Sequence, residues 1–134
     1  MWVHTKFKAA HLLPLEWELT QCQFGEHLCP RYPYHPVAKV EAEKTAVICS
    51  AVFPEFLLMA TGGLSQFNDR LNVLRGRKVV AFPDLGGYDK WVAKVRNYPM
   101  LYITVSDYLE RNATDEMRDM GANLADWVAE IRAK

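Results

Sequence analysis

The sequence predicts an α/β domain with a mostly parallel sheet of about four strands, helices on both faces and an additional amino-terminal edge strand. Three observations carry that prediction. Short apolar runs at 37–40, 56–60, 78–82 and 100–105 are continuous rather than alternating, as strands buried on both faces are. Segments with apolar residues at three- and four-residue offsets separate them, which is the alternation of βαβ units. The first three runs close on acidic or turn-forming residues, Glu41, Gly62-Gly63 and Pro83-Asp84.

A chain of 134 residues is one domain with enough length to bury a core. Half of the residues are hydrophobic and 12% are aromatic, which excludes a disordered chain. The 16 basic and 16 acidic side chains cancel, so a nucleic-acid role has to rest on a local patch rather than on net charge. Cys22, Cys29 and Cys49 are odd in number and lack Cys-x-x-Cys spacing, as expected of free thiols in a reducing, cytoplasmic setting. No apolar run approaches the roughly 20 residues of a membrane span. The apolar start Met1-Trp2-Val3-His4 is compatible with a boundary within a longer protein, which leaves room for an upstream domain. Two parts are expected: residues 1–36, a helix, edge strand and proline-rich loop, and the α/β core at 37–134.

In chain order, residues 1–15 carry a weak helical signal with Trp2, Phe7, Leu12 and Leu13 as candidate buried positions, ending at Pro14. From Trp17 to Phe24 apolar and polar residues largely alternate, the pattern of an edge strand with one wet face. Gly25-Glu26-His27-Leu28 begins a turn, and Pro30, Pro33 and Pro36 exclude regular structure from 29–36. The first core strand, ending near Val40, passes straight into a helix in which Ala46, Val47, Ser50, Ala51 and Phe53 recur at three- and four-residue offsets. After the second strand, Gly62-Gly63 tolerates positive φ. Residues 64–74 read as a helix, 88–95 as another with Tyr88, Trp91, Val92 and Val95 on one side. Ser106 caps a short helix, and a last helix starts near Thr114 with Leu124, Trp127, Val128 and Ile131 on its apolar face.

Glu41 and Asp84 are the candidate site. Each follows a strand, and carboxyl ends of parallel strands are where open α/β sheets place ligands. Two carboxylates on one edge repel unless a cation or a shared proton intervenes, so a Mg²⁺ site is the functional reading. Bland explanations stand beside it. Glu41 is also a helix-entry carboxylate favoured by the macrodipole, and Asp84 is also ordinary turn chemistry before Gly86-Gly87. Arg31, Tyr32, Tyr34 and His35 mix cations with stacking rings, as single-strand binders do, or brace a packing loop. Arg70, Arg75, Arg77 and Lys78 are the densest basic group, placed to meet phosphates if they lie near Asp84 and otherwise a solvated helix end.

Val40-Glu41-Ala42-Glu43-Lys44-Thr45-Ala46 resembles the Val-Glu-Gly-Glu-Lys-Asp-Ala element of Toprim domains, the metal-binding fold of primases, topoisomerases and related nucleases. The turn Ala60-Thr61-Gly62-Gly63 is similar to that family's glycine turn. Phe82-Pro83-Asp84 falls at its Asp-x-Asp element, and 121–127 is similar to the late Lys-Asp-x-x-Asp element of primase-type members; taken with Phe24-Gly25-Glu26-His27-Leu28 upstream, the chain resembles Toprim-like proteins of mobile DNA elements. The resemblance implies a Toprim-like fold in a DNA-processing, primase-related protein. It implies Glu41 as the catalytic acid or base and Mg²⁺ held by Glu41 and Asp84, with Asp89 or Asp126 as the supplement. Nucleic acid is the implied partner, met by Lys44, Arg75, Arg77 and Arg31. Departures from the pattern are Ala42, Thr45, Gly86 in place of the second aspartate, and Asn123 in place of the late element's first. They leave open a catalytically inactive Toprim-like binding module. A small-molecule-binding α/β domain is the third reading, compatible with the zero net charge.

Overall fold

A computed structural model describes residues 2–19 and 21–133. Four strands, Val37–Val40 (β1), Leu57–Ala60 (β2), Lys78–Ala81 (β3) and Tyr102–Val105 (β4), pair in the order β2-β1-β3-β4, and every pair is parallel. Strands β1 and β2 are buried at every position, as parallel strands covered on both faces are.

Strand periodicity divides the side chains between two cores. Val37, Leu57, Met59, Val79 and Ala81 face one way, against Phe67, Leu71, Leu74 and Trp91. Ala38, Val40, Leu58 and Ala60 face the other way, against Ala46 and Cys49 of the helix Glu43–Ser50 and Leu124 and Ala125 of a carboxyl-terminal helix. The fold is therefore α/β with a four-stranded, all-parallel sheet flanked by helices, consistent with a Toprim-like, Rossmann-type arrangement.

The helices are α1 (Val3–Ala9), α2 (Glu43–Ser50), α3 (Tyr88–Val95), α4 (Tyr108–Asn112), α5 (Asp115–Met120) and α6 (Leu124–Arg132). Helix α2 covers one face and carries the chain from β1 to β2. The stretch after β2 and then α3 cover the opposite face as the chain moves through β3 to β4. Opposite faces for opposite directions of travel keep each crossover right-handed. The direction of travel reverses between β1 and β3.

Several sequence expectations change at the level of elements. The segment at 17–24 does not form an edge strand. It reduces to one antiparallel bridge, in which Phe24 and Ala60 exchange backbone hydrogen bonds of 3.2 Å, and Thr20 lies outside the described residues. Residues 64–74 form two 3-10 turns instead of a helix, because the Asn68 side chain accepts from Arg70 N and restarts the chain at Asp69–Leu74. The expected last helix is two. Gly121, at φ 63°, ends α5, and a capping box between Asn123 and Asp126 starts α6. Helix α1 forms but buries none of its residues, so Trp2, Phe7 and Leu12, expected inside, are exposed. On α2 the inward face is Thr45, Ala46 and Cys49, while Val47 is exposed.

The amino-terminal segment is nevertheless fastened to the sheet. Lys39 projects from the middle of β1 into the first core, 1% exposed, and its Nζ donates to Gln23 Oε1. Burial pulls its ammonium down to about 7. Gln23 N in turn donates to Glu26 Oε2 at 2.9 Å. Gly25 lets the chain pass close over β2: its φ is 85°, and a Cβ there would stand 2.7 Å from the Leu58 carbonyl oxygen. Gly25→Ala is expected to cost about 2–4 kcal/mol, from the left-handed backbone and from a clash that only main-chain movement relieves. Urea denaturation, compared with Gly86→Ala, which shares the positive φ but stands in open space and so carries the backbone cost alone, checks that the close approach dominates.

Candidate functional site

Two parallel strands that lie side by side while the chain leaves them in opposite directions open a crevice at their carboxyl ends, because neither following segment covers it. In this sheet the crevice lies between β1 and β3. The register Lys39↔Ala81 continues to put Glu41 level with Pro83, one residue short of Asp84. The hydrogen bond from Phe82 N to Lys39 O, 2.7 Å, holds the two strand ends together at this point.

A third carboxylate arrives from the far end of the chain. Leu85 N donates to Ala122 O at 2.9 Å, which docks the loop after β3 onto the turn between α5 and α6. Asp126, in the first turn of α6, is thereby brought to the same rim. Burial, then the negative charge of Glu41, then that of Asp126, push the Asp84 carboxyl up to about 6. Asp84 Oδ1 is buried and has no hydrogen-bond partner among the described residues. Such an oxygen is costly to ionise unless something positive faces it.

The remaining predicted residues divide by rim. Lys44 is exposed in the first turn of α2, on the Glu41 side. Asp89 is exposed in the first turn of α3 and is not among the charges that shift Asp84. Asp126 has one oxygen committed, since its Oδ2 accepts from Asn123 N at 3.0 Å in the capping box. Arg75 and Arg77 precede β3 and Arg31 precedes β1, which puts all three on the amino rim. A strand of four residues, about 13 Å, separates that rim from Asp84. Strand direction thus sets these three apart from the acids, and the condition for the basic group to meet phosphates, nearness to Asp84, does not hold for Arg75 and Arg77. Arg77 is also occupied: its guanidinium donates to the carbonyl oxygens of Cys29, Tyr32 at 2.9 Å and His35 at 3.3 Å, bracing the proline-rich loop.

Sequence reading missed Glu110. Gly86, in the loop after β3, donates its N–H to Glu110 Oε1 at 2.8 Å, and Arg118 lies 3.6 Å from the other oxygen. A glutamate on α4 has no sequence signal linking it to a loop 24 residues earlier. Also missed was a cleft of about 460 Å³ beside the end of β2, lined among others by Gln21, Phe24, Glu43, Gln66 and Arg70.

Among the described residues no group of three or more Asp, Glu, His or Cys forms a ready-made metal cage. The donors present are all carboxylate oxygens, one of them buried without a partner. That set fits a hard cation that keeps several of its own waters, the habit of Mg²⁺, and does not fit a soft or fully ligated metal.

The sign of the Asp84 contribution to stability follows from its direction of shift. Between its ordinary 3.8 and about 6 the folded protein holds a proton that the unfolded chain has lost, so stability falls as pH rises through that window. Asp84→Asn is therefore expected to stabilise the protein at pH 7.5, by about 1–2 kcal/mol after solvent screening, and to leave it unchanged near pH 3.5. Denaturant midpoints of the two proteins across that range check it.

A family model, for a domain of unknown function (DUF6371), matches residues 1–85, a span that contains both Glu41 and Asp84 but not Asp126. No curated protein and no solved structure matches the chain.

Proposed function

The chain belongs to the DUF6371 family, whose description names no activity, and on that footing we propose that it is a Toprim-like domain of a primase-related, DNA-processing protein that carries out Mg²⁺-dependent phosphoryl transfer. One observation carries the reading: a partly buried aspartate at the topological switch point whose carboxyl is raised to about 6 by burial and by two further acids. Structural ion pairs do not look like this: among the described residues no cation pairs with Asp84, and the salt bridges Arg111–Asp107 and Arg118–Glu110 engage other carboxylates.

Each side chain has a distinct task. Asp84, ionised above about 6, and Glu41 would hold Mg²⁺ through oxygen, with Asp126 contributing charge. When bound, the ion would neutralise negative charge on the transferring phosphoryl group. Glu41 sits between strand and helix, half-buried, and acts as acid or base at the leaving or attacking oxygen. Lys44, two residues into α2 and exposed, offers a cation for a neighbouring phosphate of the strand. The nucleic acid would thus be bound locally at the carboxyl rim, in keeping with a chain of zero net charge.

Two hydrogen bonds favour a second reading, in which the domain binds nucleic acid or protein without catalysis. Gly86 directs a backbone N–H to Glu110 where a second metal-binding aspartate would stand, and Asp126 spends an oxygen on the α6 cap. Both subtract ligands from the rim.

Under the catalytic reading, millimolar Mg²⁺ shifts the NMR resonances of Glu41 and Asp84 together, and Glu41→Gln lowers metal-dependent nicking or primer synthesis by at least a hundredfold. A protein that binds single-stranded DNA in a salt-dependent manner but shows equal, metal-independent traces of turnover in both forms is the inactive module.

A further inference from the structure

The cleft beside β2 lies on the same rim as the acids and is built from different parts of the chain. Gly62 N donates to Glu41 O at 2.9 Å, so the turn that forms one wall of the cleft is tied directly to the residue after β1. The opposite wall is the amino-terminal segment, held against β2 by the Phe24–Ala60 bridge and from below by the buried Lys39–Gln23 pair. Arg70 closes the far side, where its Nη1 donates to Gln66 Oε1 at 2.6 Å and to Gln21 Oε1 at 3.4 Å.

Three chemistries meet in this space. Phe24, 42% exposed, supplies an aromatic face. The Gln21 and Gln66 amides and the Arg70 guanidinium supply donors, and Glu43 supplies an acceptor whose Oε1 stands 3.3 Å from where a Gly62 Cβ would be. A planar ring with hydrogen-bonding edges uses all of them at once: stacking on the aromatic side chain, edge contacts to amides, carboxylate and guanidinium. A bare phosphate would use Arg70 alone and would meet the charge of Glu43. An apolar ligand would strand the amides. The volume, about 460 Å³, is in the range of small-molecule sites and exceeds what one base fills, leaving room for its sugar.

We propose that this cleft is a nucleobase subsite, taking one unstacked base of a nucleotide so that its sugar-phosphate runs along the rim toward Glu41 and Asp84. This deepens the phosphoryl-transfer reading and rests on it for the direction in which the phosphate leaves. Base capture itself needs neither acid. A free mononucleotide and the end of a single strand present the same ring, and the experiment separates them.

Cys22 lines the cleft and is exposed, whereas Cys29 and Cys49 are buried, so alkylation of the native protein reports on Cys22. The rate of Cys22 alkylation is measured in EDTA with guanosine monophosphate, with a short single-stranded oligonucleotide, with ribose 5-phosphate and with inorganic phosphate. Protection is expected from ligands that carry a base and not from the sugar phosphate or phosphate. Protection by the mononucleotide assigns the site to a free nucleotide, and protection by the oligonucleotide alone assigns it to a strand. Phe24→Leu, which keeps the main-chain bridge and the bulk, is expected to raise the half-protecting concentration roughly tenfold. Equal protection by ribose 5-phosphate, no protection by any ligand, or a Phe24→Leu protein that binds like the wild type would each overturn the proposal. Base protection that persists in Glu41→Gln, with no Mg²⁺ response in either protein, sinks the catalytic reading and leaves the subsite standing.

Discussion

The turnaround of the chain between β1 and β3 brings two acidic side chains toward one crevice, where burial first and the charge of Glu41 second set the state of Asp84. A parallel sheet hides its strands from water, so strand residues are apolar, and polar chemistry is confined to the ends. At the carboxyl end of β1 the first side chain available is Glu41; beyond β3 it is Asp84, after Phe82 and Pro83. Docking of the 121–126 turn against Leu85 adds Asp126. The result is a carboxyl group that prefers to keep its proton until about pH 6. A fold gains nothing in stability from this, and strain of that kind is what sites for cations and phosphates carry.

The sheet and the location of the acids were legible in the sequence because both rest on local signals. Continuous apolar runs name buried strands, and Glu41 and Asp84 adjoin those runs directly. What failed to show were a local side-chain competition with the helix and features set by packing at a distance. The stretch 64–74 has helical spacing, yet Asn68 offers its side chain to Arg70 N and breaks the helix into two turns. Alternation at 17–24 reads as a strand, but among the described residues of that stretch only Phe24 reaches the ladder, since the chain must rise over Gly25. The arginines at 75 and 77 cluster with Asp84 in sequence and lie at the opposite end of the strand in space. Charge density along a chain carries no information about strand direction.

The amino-terminal segment acquires a purpose in this arrangement. Its exposed helix α1 contributes nothing to either core, while residues 21–29 pack closely, through a buried lysine and a glycine that no other residue replaces without strain. The close packing falls beside the acidic rim and walls the cleft there. The family match spans residues 1–85, which hold the segment, β1, β2, β3 and Asp84, while Asp126 comes from α6, outside that span.

Side-chain carboxyl NMR titration of Asp84 tests this arrangement most directly. In the wild-type protein the midpoint is expected at about 6, and in Glu41→Gln it is expected to fall part of the way toward 3.8, burial being the larger cause and remaining in place. A midpoint near 3.8 that Glu41→Gln leaves unmoved would contradict the convergence of the two acids.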